Sequence, residues 1–377
     1  MKGYSIINNT ATTVTEMIIP LTDDWSSRCY NDVNNSATGN PTRFKGSNTM
    51  VKIPEFWYID EYESSTKTHN LKISQTAKAG WCHHKEAYVG AYEGYLGDIV
   101  YHSTAGVIPT VSATREQLRT KARANGYEDE YKWNIYTYEE HRAICHLFLV
   151  EYATRNSQAP VNTALTADGF KQGGLGSGCT TGTVKINGVD TYSFIPTGTT
   201  DSLGNGSGQV AYTVTQTDAD GNEIDTVTRY ANRYRGIENP FGHIWKHVDD
   251  VVNVYNAETT YKTVYKCDKP EHFATNKNAK YKPLCSFPGG SKMQGWSKEI
   301  KATINCDFFK CYVGGSESTY WCDYNYDSDD TSEHCLLIGG GSGSGGQAGL
   351  FAFLLHGGVG TSNVSVGSRL TYLPWAE

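Results

Sequence analysis

The stretch Arg235-Gly236-Ile237-Glu238-Asn239-Pro240-Phe241-Gly242-His243-Ile244-Trp245-Lys246-His247 divides the chain. After it the sequence returns to strands and loops and ends in a Gly-rich region, residues 312–377. Before it, residues 165–230 are rich in Gly, Thr and Ser with alternating strands between, and read as an insertion. Within that insertion Asp218-Ala219-Asp220-Gly221-Asn222 sits between Tyr212-Thr213-Val214-Thr215 and Thr226-Val227-Thr228. The Asp-x-Asp-Gly spacing is that of a calcium loop, but Arg229 stands at the twelfth position where a liganding Glu belongs. The segment therefore reads as a hairpin turn.

Further upstream two helices announce their starts. Thr114 and Gln117 have capping-box spacing, with Gly126 placed to close the segment. Thr137 and Glu140 repeat the device ahead of Ile144, Leu147, Phe148, Leu149 and Tyr152, which share a helical face. Phe56-Trp57-Tyr58-Ile59 and Ala87–Glu93 read as strands. The first 50 residues, rich in Asn, Thr and Ser, read as an arm with one or two strands, suited to oligomerisation. The expected organisation is an arm over 1–50 and a folded body over 51–377.

The chain has 377 residues, 38% of them hydrophobic, enough for a sizeable core. Leu350–Leu355 is among its longest apolar runs, about a third of the roughly 18 residues a membrane helix needs, and MKGYSIINNT has no apolar signal-peptide core. Neither membrane insertion nor secretion by a signal peptide is expected. A net charge of −7 argues against nucleic acid as a partner. Ten cysteines without a CxxC pair read mostly as buried thiols. The 26 tyrosines and 39 glycines suit a recognition surface, and they suit a loop-rich β protein equally.

Residues 312–377 hold one base, Arg369, against seven acids, Glu317, Asp323, Asp327, Asp329, Asp330, Glu333 and Glu377, so nearly all the net charge lies there. Ser318-Thr319-Tyr320-Trp321-Cys322-Asp323-Tyr324-Asn325-Tyr326-Asp327 packs aromatic and short polar groups together. Gly339–Gly346 lacks the Lys-Ser/Thr of a P-loop and reads as a surface loop. Ala348–His356 and Val364–Tyr372 read as strands, and alternation turns Ala352, Leu354 and His356 to one face.

Taken together these segments resemble the C-type-lectin-like fold in its formylglycine-generating-enzyme-like branch. Phe241–His247 looks like that branch's G-N-V-W-E-W strand, Thr137–His141 through Tyr152-Ala153 like its T-E-A-E-W to Y-A helix, and Gly367-Ser368-Arg369-Leu370 like its closing G-F-R-L. The narrower resemblance is to the variable proteins of diversity-generating retroelements, especially those on phage tail fibres. It covers residues 51–377 as a fold and 312–373 most specifically, leaving the first 50 uncovered.

The resemblance implies an α+β fold, C-type-lectin-like, with a β-rich insertion over 165–230 and a variable ligand-binding region over 312–373. In such proteins the variable codons are rewritten at template adenines, a process from which Lys and Met do not arise, and residues 312–377 contain neither. Trp321, Glu317, Glu333 and Gln347 would then be scaffold. It assigns ligand contact to Tyr320, Asp323, Tyr324, Tyr326, Gly341, Ser342, Ser344, Ala352, Leu354 and His356. The implied protein is a receptor-binding subunit of a virion tail fibre, assembled in the host cytoplasm as a homotrimer, whose partner is a host cell-surface protein or glycan; the alternative is a bacterial surface-display protein diversified in the same way.

No catalytic role and no cofactor are expected. The branch's oxidases need a reactive thiol pair, and Cys322 and Cys335, the late candidates, sit among acids that raise a thiol pKa. Trp81-Cys82-His83-His84 could offer metal ligands, but adjacent histidines on a strand face opposite ways, one exposed and one packed. No metal ligand set is assigned. Asp249-Asp250 reads as a solvated turn.

Overall fold

A computed structural model describes residues 3–7, 10–14, 28–29, 48–126, 130–152, 154–161, 183–192, 194–317 and 319–376. The first half runs through β1 (Gly3–Ile7), β2 (Thr10–Val14), β3 (Met50–Ile53), β4 (Phe56–Glu63), β5 (Thr68–Ser74), β6 (Cys82–His84) and β7 (Ala87–Glu93). Helix α1 (Arg115–Arg123), β8 (Trp133–Ile135) and helix α2 (Tyr138–Tyr152) follow. The second half holds β9 (Gly208–Thr217), β10 (Glu223–Tyr234), β11 (Trp245–Asn256), β12 (Tyr261–Lys266), β13 (Lys282–Pro288) and β14 (Gly295–Ile300). It ends with β15 (Lys310–Val313), β16 (Tyr324–Tyr326), β17 (Glu333–Ile338), β18 (Phe353–Gly358) and β19 (Arg369–Tyr372).

These strands overturn the α+β, C-type-lectin-like expectation. Strand accounts for 42% of the structure and helix for 13%, with two α-helices among the described residues, so the fold is β-rich. Its largest sheet has the order β13-β12-β11-β17-β18-β16-β14-β15, and the two ends of that order, β13 and β15, touch each other, so the sheet curls almost into a barrel. The cause is the long β-forming run from Trp245 onward. β11 alone spans 12 residues and pairs on both sides, with β12 and β17.

Both helix starts are capped as the sequence indicates. Thr114 and Gln117 form a complete capping box, and the Thr137 hydroxyl accepts the Glu140 N–H at 3.4 Å. Asp250, reaching across from β11, accepts the Tyr138 N–H at 2.6 Å and the Glu139 N–H at 3.3 Å, a cap no local pattern displays. Asp249 forks onto Arg119 at 2.6–2.9 Å. The Asp249-Asp250 pair is therefore buried ion-pair and cap, a correction to its reading as a solvated turn. Residues Glu140 to Val150 of α2 are all buried, so this helix is the centre around which the main core packs.

The insertion contains the long hairpin β9–β10, closed where Asp218 accepts the Asp220 and Asn222 N–H groups at 2.9 Å. Strands β1 and β2 add to the edge of this chain's own β5. Cys82, Cys145, Cys267, Cys285, Cys306, Cys311, Cys322 and Cys335 are free thiols. No helix among the described residues is long and apolar enough to cross a membrane.

The stretch that divides the sequence carries charge into the core. Glu93, at the end of β7, is 1% exposed; His243 Nδ1 donates to one of its oxygens, and Lys246 Nζ lies 2.8 Å from the other. The Ile195 N–H donates to His243 Nε2 at 2.9 Å, so both ring nitrogens are engaged. Arg369 of β19, fully buried, donates to the carbonyls of Gly90, Glu238 and Asn239. Burial pushes the Glu93 carboxyl up, but Lys246, His243 and Arg369 outweigh it and hold it at about 2.

Glu93→Ala strands the Lys246 ammonium in the core and is expected to cost about 3–5 kcal/mol in urea denaturation near neutral pH. Because the folded pKa is depressed, the wild-type contribution is complete above about 4.5 and fades as pH falls toward about 2. A cost below about 1 kcal/mol, the level of an exposed pair, would contradict the assignment.

Candidate functional site: an aromatic face on the main sheet

Strand β16 lies parallel to β18, with Asn325 opposite Phe353 and Tyr326 opposite Leu354. Alternation then separates the side chains. Asn325, Phe353 and Leu355 are buried, whereas Tyr324, Tyr326, Leu354 and His356 are half-buried on the opposite side. The two tyrosine rings stand 4.7 Å apart; Trp296 meets Tyr324 edge-on at 5.5 Å and Trp245 meets Tyr326 edge-on at 5.6 Å. The Tyr326 hydroxyl donates to Gln347 Oε1, and burial pushes that phenol up to about 12. The result is a rigid row of rings with polar edges.

The other assigned positions divide. Tyr320 is half-buried in the left-handed region, at φ 59°, with the Lys298 ammonium 5.5 Å from its ring centre. Ser344 is half-buried and its hydroxyl accepts the Gly341 N–H at 3.0 Å. Gly341 itself is buried, and a Cβ there would stand 2.9 Å from Trp245. Its small size makes room for the ring that backs Tyr326.

Asp323, Ser342 and Ala352 are corrections: each is fully buried and lines no surface of the folded chain. Ala352 lies in the turn before β18 begins, so the alternation that places Leu354 and His356 does not reach back to it. Asp323 Oδ2 accepts the Phe351 N–H at 2.8 Å and the Ser157 hydroxyl at 3.4 Å, pinning the β16 and β18 approaches together. Gly349 makes this possible, since a Cβ there would stand 2.0 Å from Asp323 Oδ1. Burial raises the Asp323 carboxyl well above the usual range.

Sequence reasoning missed Trp245 and Trp296 as members of the face and assigned Gln347 to the scaffold without its bond to Tyr326. Trp296 comes from β14, and only the pairing of β14 with β16 brings it there. The acidic excess of the region is likewise only partly on display: Asp327 is buried between Lys262 at 2.5 Å and Lys310 at 2.9 Å, while Asp329 and Asp330 are exposed.

Of the histidines at Trp81–His84, His83 is exposed and His84 buried. Among the described residues no group of three or more His, Cys, Asp or Glu side chains is placed to hold a metal ion. No protein-family profile matches the chain, and no curated protein matches it.

The raised Asp323 pKa has a signed consequence. Its contribution to stability is complete below the unfolded carboxyl pKa and is lost as pH rises, because the unfolded chain ionises first. Asp323→Asn keeps an acceptor for the Phe351 N–H and is expected to gain stability relative to wild type as pH rises from 4 to 8, measured as the difference in melting temperature. A difference that does not change with pH would contradict the buried, neutral carboxyl.

Proposed function

We propose that this chain is a non-catalytic receptor-binding protein of a phage or prophage tail fibre. Its aromatic face, Tyr324 and Tyr326 flanked by Trp296, Leu354 and His356, holds a host cell-surface protein or glycan. The observation that carries this reading is the tyrosine pair itself, two rings held 4.7 Å apart by tryptophans on a strand whose alternate residue is locked in the core. Rigid rings with hydroxyl edges contribute contact area at little entropic cost and accept varied polar partners. Retroelement diversification would act on such a face without disturbing the buried side of the same strands.

Thiol chemistry has little support in the geometry. Burial, with Asp323 adding to it, pushes the Cys322 thiol up to about 12, and burial raises Cys335 as well. A homotrimer at a fibre tip would present three faces, and avidity would then supply most of the strength.

Whole-cell binding of the purified chain tests this. The double substitution Tyr324→Ala with Tyr326→Ala is expected to weaken host binding about tenfold or more, lowering the melting temperature by no more than a few degrees. Unchanged cell binding would remove the face from the binding function.

A further inference from the structure

A separate concavity of about 400 Å³ opens at the N-terminus of α2 and shares no lining residue with the aromatic face. That volume is within the range of small-molecule sites. His84 of β6, Glu139, Glu140 and Arg142 of α2, and Lys266 at the end of β12 line it. Part of this set is paired internally. Arg142 donates to Asp307 at 2.5 Å and to Glu139 at 2.7 Å, and Lys266 lies 3.1 Å from Glu139 and 2.6 Å from Asp268.

The remainder is not. His84 and Glu140 are each 1% exposed, yet both ring nitrogens of His84 and Oε2 of Glu140 have no hydrogen-bond partner among the described residues. Buried polar groups are nearly always satisfied, so unpaired ones on two residues of one cavity wall point to a bound molecule that completes them. Burial holds the His84 ring at about 4, hence neutral, with one donor and one acceptor. Burial, reinforced by Glu139 and Asp250, raises the Glu140 carboxyl well above its usual range, which favours the protonated form that can donate. Both groups suit hydroxyls better than ions.

The rim adds charge. Lys282 and Lys85 are exposed at the pocket, Lys85 with its ammonium 4.5 Å from the centre of the Trp375 ring, and Trp375 Nε1 is a further unpartnered donor. With Arg142 and Lys266 these lysines make four cations, against the acids Glu139 and Asp268 of the lining and Asp307, which pairs with Arg142. A ligand here meets surplus positive charge at the mouth and neutral hydrogen-bonding groups below.

We propose that this pocket binds a small hydroxylated carboxylic acid of monosaccharide size, its carboxylate held by Lys85 and Lys282 and its hydroxyls by His84 and Glu140. The inference stands apart from the aromatic face. The chemistry could come from a free solute or from the end of an acidic glycan, and calorimetric titration of the full chain with D-glucuronate, methyl β-D-glucuronoside and D-glucose distinguishes them. Saturable binding of both acids assigns the glycan end, and binding of the free acid alone assigns the solute; either upholds the pocket. Lys282→Ala and Lys85→Ala, both at the exposed rim, are each expected to weaken binding about tenfold, while Tyr324→Ala with Tyr326→Ala leaves it unchanged. His84→Gln tests the floor. No binding of either acid, glucose binding as tightly as the acids, or rim variants with unaltered affinity would overturn the proposal.

Discussion

A carboxylate placed where water does not reach has to be matched by its surroundings, and in this protein that constraint falls on Glu93. His243 and Lys246 meet it from just before β11 and from its second residue, and Arg369 ties the same region to β19 through backbone carbonyls. Three parts of the chain far apart in sequence are held in one arrangement by one buried charge. The other buried networks follow the same logic, with Asp327 between Lys262 and Lys310 under the main sheet and Asp249 on Arg119 beside α1. Such pairs add little net stability over apolar packing, but a strand shifted out of register would leave charges unpaired, so they penalise misassembly.

That arrangement gives the aromatic face its character. The inner side of β16 and β18 is committed to the core through Asn325, Phe353 and Leu355, and Asp323 fastens the approach to β18 from below. The outer side carries rings that touch each other and two tryptophans. A scaffold fixed by ion pairs and by a buried helix can hold such a face still while leaving its composition open, which is what recognition of varied partners requires.

Local patterns were legible in the sequence. The capping signals at Thr114 and Thr137, the Asp218–Asn222 turn, the opposed faces of His83 and His84, and the alternation of Phe353, Leu354, Leu355 and His356 all depend on neighbours a few residues apart. What was not legible depends on pairing across the chain. The near-closed sheet, the parallel contact of β16 with β18, and the arrival of Trp296 beside Tyr324 are set by strand order. The family resemblance implied an α+β fold, yet the two capped helices are embedded in a mostly β protein. Motif likeness around Phe241–His247 marked a region that matters, but its His and Lys serve a buried ion network. Burial likewise moved Asp323, Ser342 and Ala352 out of the binding set, Ala352 because a one-residue difference in where a strand begins decides which side chains face inward.

The claim on which the rest depends is that the aromatic face is separable from the scaffold beneath it. Saturation mutagenesis of residues 320–356, with resistance to proteolysis as the readout of folding, tests it directly. The account predicts that Tyr324, Tyr326, Leu354 and His356 accept most substitutions with the folded state retained, while Asp323 and Ala352 accept few. Equal intolerance at both sets, or loss of folding on substitution of the tyrosines alone, would contradict it.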